Sequence, residues 1–251
     1  MKRCRIFVSI TKFSRIHFQE LSKINGGTRR LLRRVQMPLP APHRAEREAL
    51  CDLMLALGPD APTLCQGWTT IDLAAHLVIR ERNLIAAPGI IFGGPFSAIL
   101  RRATERTIER PYPELVAMIR SGPPQWLRPF DRAMNLMEFY VHHEDVRRGS
   151  GDMTPRPESE TAELEDALWI LLCRRGRLLT RSLGPVGLNL RRSNEAIRDE
   201  HLVRKGTPTA TMSGSSGELI LYLMGRREAA HVKIDGSPEA IRVMSTASFG
   251  I

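Results

Sequence analysis

The residues best suited to chemistry are two histidines and a glutamate set in helical sequence. Glu138 and His142 lie four apart in MEFYVHHEDVRR, residues 137–148. On a helix they project from one face, one turn apart, and can reach a single ion. His76, in DLAAHLVIRER at 72–82, is the natural third donor from a facing helix. Three protein ligands in a bundle core leave a position for water or substrate. Two imidazoles and one carboxylate suit a borderline divalent cation, Zn²⁺ first, with iron, nickel or manganese to be separated by geometry. The spacing leaves another reading open. Glu and His four apart also stabilise solvated helix faces, and His76 would equally serve as a hydrogen-bonded core residue.

The rest of the HHED run cannot share that ion. His143 and Glu144 point about 100° and 200° away from His142 on a helical wheel. Asp145, about 300° on, is a candidate acceptor that would orient the His142 ring, and Asp72 stands in the same relation to His76. Capping or surface charge is the alternative role for both aspartates. Four cysteines, Cys4, Cys51, Cys65 and Cys173, form no CxxC pair, so a cysteine-rich zinc site has no support. Cys51 and Cys173 fall on apolar helical faces and Cys65 in a loop. None has a histidine beside it in sequence, so none reads as catalytic.

These side chains need helices to hold them, and the apolar spacing supplies them. Helices are expected over Pro42–Leu57, from Thr69 or Thr70 to Arg82, over Phe96–Glu109, from Tyr112, over Asp131–Arg148, and over Glu158–Leu183 with a bend near Gly176. After Gly184-Pro185 the pattern changes. Val186–Leu190, Ala196–Arg204 and Thr207–Met212 read as strands. A helix opens at Ser215 or Ser216 and runs through Met224, and His231–Ile234 and Ile241–Met244 read as closing strands. Trp68 is expected to pack its loop against the bundle. The 18 uncharged residues of Asn83–Leu100 contain Pro88, Gly89, Gly93, Gly94 and Pro95. They read as a helix end, an apolar loop packed on the core and a helix start, not a membrane span.

The 251 residues suffice for one large domain or two small ones with a real core. Charged residues make up 25% and apolar residues 42%, which excludes a disordered or collagen-like chain. The net charge of +10 is concentrated: residues 1–36 hold ten Lys/Arg and one acid, Glu20, leaving 27 basic against 26 acidic residues. A nucleic-acid-binding body needs a basic face on folded structure, and this body is nearly neutral. Residues 1–36 read as an over-extended start ahead of Met37, with a basic arm or a targeting segment as alternatives. The expected organisation is thus a basic extension at 1–36, a helical bundle at 37–184 and a small α+β domain at 185–251. Scattered cysteines fit a reducing cytoplasm.

Taken together, TLCQGWTTIDLAAHLVIRER at 63–82 and MEFYVHHEDVRR resemble the metal-binding bundle of the mycothiol-dependent maleylpyruvate isomerase family, within the DinB-like superfamily. SGSSGELILYLMGRR at 213–227 resembles that family's second domain. The resemblance covers roughly residues 40–245. It implies a DinB-like four-helix-type bundle followed by a small α+β domain, with His76, Glu138 and His142 as metal ligands. It implies mycothiol as thiol cosubstrate and an electrophilic small molecule as its partner. Cation coordination deprotonates and holds a thiol; in an isomerase the thiol adds and leaves, and in an S-transferase the adduct is the product. Arg226, in the Gly-Arg ending the C-terminal helix, is the candidate for a substrate carboxylate, because its planar donor fork matches one; an ordinary basic helix end is the alternative. A non-catalytic metal- or ligand-binding protein on the same scaffold shares all three ligands and stays open.

Overall fold

The computed structural model describes residues 41–83, 85–87, 97–126, 131–193 and 198–249. The basic extension and most of the apolar Asn83–Leu100 run lie outside the described residues. Residues 41–251 form one compact unit. It is mostly helical, with a small four-stranded sheet.

Helix α1 spans Pro42–Leu57, with proline at the position where a missing N–H costs nothing. Gly58, at φ 84°, ends it. Helix α2, Thr70–Arg82, starts on a capping box: the Asp72 carboxylate accepts from the backbone N–H and hydroxyl of Thr69, 3.0 Å each. Asp72 is therefore a cap, the alternative role its position allowed. Helices α3 (Ser97–Ile108), α4 (Tyr112–Arg120), α5 (Asp131–Arg147) and α6 (Glu158–Leu179) follow. Helix α6 continues through Gly176 and stops at Thr180, after which Arg181–Leu183 form a 3₁₀ turn. The glycine answers a different need: a Cβ at Gly176 would lie 2.8 Å from Val203 Cγ1.

The sheet comprises β1 (Gly187–Ser193), β2 (Arg198–Arg204), β3 (Thr209–Gly214) and β4 (Lys233–Asp235) in spatial order β2-β1-β3-β4. The β1–β2 and β3–β4 pairs are antiparallel, and β1–β3 is parallel. Helix α7, Ser216–Leu223, follows β3, and its cap Ser215 accepts from Glu218 N. The expected strand at Ile241–Met244 is instead part of helix α8, Pro238–Thr246. Ser237 as N-cap, Pro238 at the first helical position and Glu239 in the first turn form a complete start signal. That signal overrides the β preference of Ile241 and Val243.

Two apolar clusters organise the unit. One joins α1, α2 and α4 to α5 through Leu50, Leu73, Leu77, Leu115, Ile119 and Phe139. The other runs from Leu136 and Tyr140 of α5 through α6 to Leu188, Met212, Leu221 and Met244. Helix α5 belongs to both, and the apolar core continues across the change from helix to strand near residue 185. The loop at 59–69 lies against the end of α5, where Leu64 N donates to Asp145 O at 3.0 Å. Gly149 permits this approach, since a Cβ there would sit 2.1 Å from Pro62 O. We expect Gly149→Ala to push this loop off α5 and lower stability by about 1–3 kcal/mol, the usual cost of overpacking. Urea unfolding measures it; an unchanged midpoint would show that the loop yields freely.

Candidate functional site

His76 on α2 and Glu138 and His142 on α5 come together as the sequence spacing predicts. One donor atom from each lies within 4.8 Å of the other two. The His142 Nε2 faces Glu138 Oε2 at 3.2 Å, and its Nδ1 faces Asp145 Oδ2 at 2.9 Å. The rings of His76 and His142 meet edge to face with centroids 5.3 Å apart. Asp145 is thus the orienting acceptor for His142.

The polar surroundings set the charges. Burial alone would depress the His142 pKa, but hydrogen bonds with Asp145, Cys65 and Glu138 raise it well above the ordinary histidine value. Carboxylates at both ring nitrogens require a hydrogen on each, which makes the ring an imidazolium. His76 goes the other way: burial, then the charge on His142, pushes its pKa down to about 3. Burial would raise Glu138, yet the hydrogen bond with His142 and the Arg80 charge hold it at about 2. Asp145 likewise stays well below the carboxylate range: its bonds to His142 and Arg226 outweigh burial.

Arg226 lies in this cluster. Its Nε donates to Asp145 Oδ1 at 2.9 Å, its Nη2 to Asp145 Oδ2 at 2.7 Å, and its Nη1 to Met224 O at 2.6 Å. Its Nη2 is also 3.3 Å from Cys65 Sγ. The Cys65 thiol sits 3.2 Å from Asp145 Oδ2. Sequence reading misses Cys65, because its neighbours come from α5 and the loop after α7, 80 and 161 residues away. Cys65, His142 and Asp145 form a second close donor group. Its thiol thus neighbours both the Asp145 carboxylate and the His142 ring.

A cavity of about 100 Å³ opens beside His76, lined by Trp68, Asp72, Leu100 and Thr104. The Trp68 ring lies 5.3 Å from that of His76. Trp68 thus packs its loop against α2, as the sequence suggests, and also lines the cavity.

No protein-family model matches the chain. No curated protein matches it either. Two solved structures are similar. One is the crystal structure of the mycothiol-dependent maleylpyruvate isomerase, 16% identical at TM-score 0.49, covering 77% of this chain and 90% of that one. The other is a histidine-to-alanine mutant of the mycothiol-dependent maleylpyruvate isomerase, 14% identical at TM-score 0.46 with the same coverage. Neither likeness assigns a residue or an activity to this chain.

The two histidines should titrate in opposite senses in metal-free protein. His142, raised in the fold, adds stability below its unfolded value of about 6.5 and loses it as pH rises through its folded pKa. His76, depressed to about 3, subtracts stability as pH falls from about 6.5 toward that value. Imidazole ¹⁵N spectra should show His142 protonated and His76 neutral at neutral pH. A His142 that titrates near 6.5 would contradict the double carboxylate clamp.

Proposed function

We propose that the protein binds one divalent cation, Zn²⁺ being the best match, through His76, Glu138 and His142. In this reading the bound cation activates a low-molecular-weight thiol for attack on an electrophilic small molecule. The observation that supports it is the convergence of two imidazoles and a carboxylate beside a cavity. The donor set fits such an ion: two nitrogens and one oxygen, with the non-ligating nitrogen of His142 held by a carboxylate. A bound cation there would lower the pKa of a coordinated thiol and act as a Lewis acid.

The chain's own residues then have distinct roles. His76 is already neutral and needs no proton loss to become a ligand. His142 would release its Nε2 proton to solvent on becoming a ligand, while its Nδ1–H stays donated to Asp145, which fixes the ring. Trp68 and Leu100 line the cavity beside His76. Arg226 secures Asp145, and the second hydrogen on its Nη1 is the donor it can offer a substrate carboxylate. A thiolate that adds to a conjugated bond and leaves again gives an isomerase; one that stays attached gives an S-transferase. Mycothiol is the candidate thiol on the sequence resemblance, and a reducing cytoplasm the matching compartment. The DinB-like four-helix-type bundle, closed by the α+β segment from residue 185, is the scaffold this reading assumes. Among the described residues no helix is long and apolar enough to cross a membrane.

One observation favours a second reading, a non-catalytic metal- or ligand-binding protein. The cavity beside His76 is about 100 Å³, whereas small-molecule pockets commonly run to about 300–1,000 Å³.

Elemental mass spectrometry of the purified protein should find about one ion per chain, as one three-ligand site requires. His142→Ala should lose that ion while circular dichroism keeps most of its helicity. Protein that stays metal-free after refolding with zinc would remove the mechanism. Calorimetry with a small thiol separates the remaining readings: binding and turnover support the enzyme, and metal without thiol binding supports the second.

A further inference from the structure

The oxygen of Glu138 that does not face His142 has its own fixed neighbour. Arg80, one turn beyond His76 on α2, places Nε 3.6 Å from Glu138 Oε1. Arg80 is itself held: its Nη1 donates to Asn135 Oδ1. Asn135 lies three residues before Glu138 on α5 and donates through Nδ2 to Glu81 Oε1 at 2.8 Å. Glu81 is gripped by both Nη atoms of Arg47 on α1, 2.7 Å each, and Arg47 also donates to Ile119 O at 2.8 Å on α4. Arg47, Glu81 and Asn135 are all buried.

The arrangement has a direction. A buried pair with both charges satisfied cannot shift cheaply, so Arg47 and Glu81 form a fixed anchor. Asn135 has one amide, and its two ends are used separately. The nitrogen goes to Glu81 and the oxygen to Arg80. That helps set where the Arg80 guanidinium stands, and Arg80 forms an ion pair with the Oε1 side of Glu138. His76 and Arg80 on α2 thus face Asn135, Glu138 and His142 on α5 as two matched rows.

We propose that Arg80, aimed by Asn135, is the positioning residue for Glu138. It keeps Oε2 turned toward His76 and His142, and so controls how tightly the site holds its cation. This rests on the metal-binding reading above. A guanidinium beside a cation site also repels the cation, so its charge works against affinity and its geometry in favour. Variants that keep the charge and lose the geometry separate the two. Arg80→Lys keeps the charge without the fork, and Asn135→Ala keeps Arg80 without its bond to the Asn135 oxygen.

The test is Zn²⁺ affinity by chelator competition on the full chain, with Co²⁺ absorption as a report on ligand geometry. Both variants should bind Zn²⁺ about 10-fold or more weaker, the usual effect of losing a group that orients a ligand, with a changed Co²⁺ spectrum. Wild-type affinity and spectrum in Arg80→Lys would overturn the proposal. If Asn135→Ala unfolds by circular dichroism, because Glu81 loses its donor, Arg80→Lys decides alone. A wild-type chain that binds no Zn²⁺ would overturn the metal reading and this proposal with it; a wild type that binds beside unaffected variants overturns only this one.

Discussion

Helix α5 and Arg148 just beyond it carry polar and charged side chains into the interior in several directions, and the rest of the unit is arranged around that fact. His142, His143, Glu144, Asp145 and Arg148 are all buried. A buried charge without a partner costs several kcal/mol, so each must be met by a group from elsewhere. His143 Nδ1 meets Glu46 of α1 at 3.0 Å. Glu144 is bound by Arg147, Arg148 and Arg156. Asp145 takes Arg226, and Arg148 reaches Glu218 of α7 and the carbonyl of Ala229. Neighbouring residues of one helix therefore point to different parts of the fold. A slip of α5 by one residue would turn these groups away from their partners.

That requirement makes the site precise. Breaking one member of such a pair costs about 3–5 kcal/mol, far more than rotating an exposed side chain. The Glu144 carboxyl is held at about 2 by its arginines despite burial that would raise it, and Glu46 is lowered by His143 and Arg156. These carboxylates stay charged at neutral pH, and the register of α5 is locked. Glu138 and His142 inherit that register. The same pairing ties α5 to α7 and to the segment after it, which brings Arg226 to a site otherwise built from α2 and α5.

Local signals make the helices legible in the sequence. Apolar spacing and caps at Thr69 and Ser215 act within a few residues, so the sequence displays them directly. The strand expected at Ile241–Met244 shows how such reading fails: the β-branched residues there speak for a strand, and the Ser237-Pro238-Glu239 start outweighs them. His76, Glu138 and His142 are legible because helical geometry fixes the i to i+4 relation, and a facing helix needs only one donor. Asp145 is legible as an acceptor by the same wheel. Cys65, Trp68 and Arg80 are not. Cys65 reaches the site because Gly149 lets a loop lie against α5, and Trp68 does so from the same loop. Arg80 depends on a relay through Asn135 and Glu81 that joins three helices. No spacing rule encodes such meetings.

Fixed cations also indicate which of the two donor groups can take an ion. In both groups, Cys65, His142 and Asp145 and likewise His76, Glu138 and His142, the donor atoms lie within 4.8 Å of one another. Arg226, however, already binds both oxygens of Asp145 and the Cys65 sulfur. Two unit charges at 4 Å interact by about 4 kcal/mol at an effective dielectric of about 20, and a divalent ion doubles the repulsion. An ion among Cys65, His142 and Asp145 would also have to displace Arg226 from a carboxylate it grips with two nitrogens. At the other group the nearest guanidinium, Arg80, stands on the far oxygen of Glu138 at 3.6 Å. The ring of His76 lines the cavity on its own side of the group. His142 serves one group through Nε2 and is tied to Asp145 through Nδ1, so the two groups are not equivalent. In the proposed metal-binding reading, Asp145 and Arg226 would be the support, and the cavity beside His76 the room for a substrate.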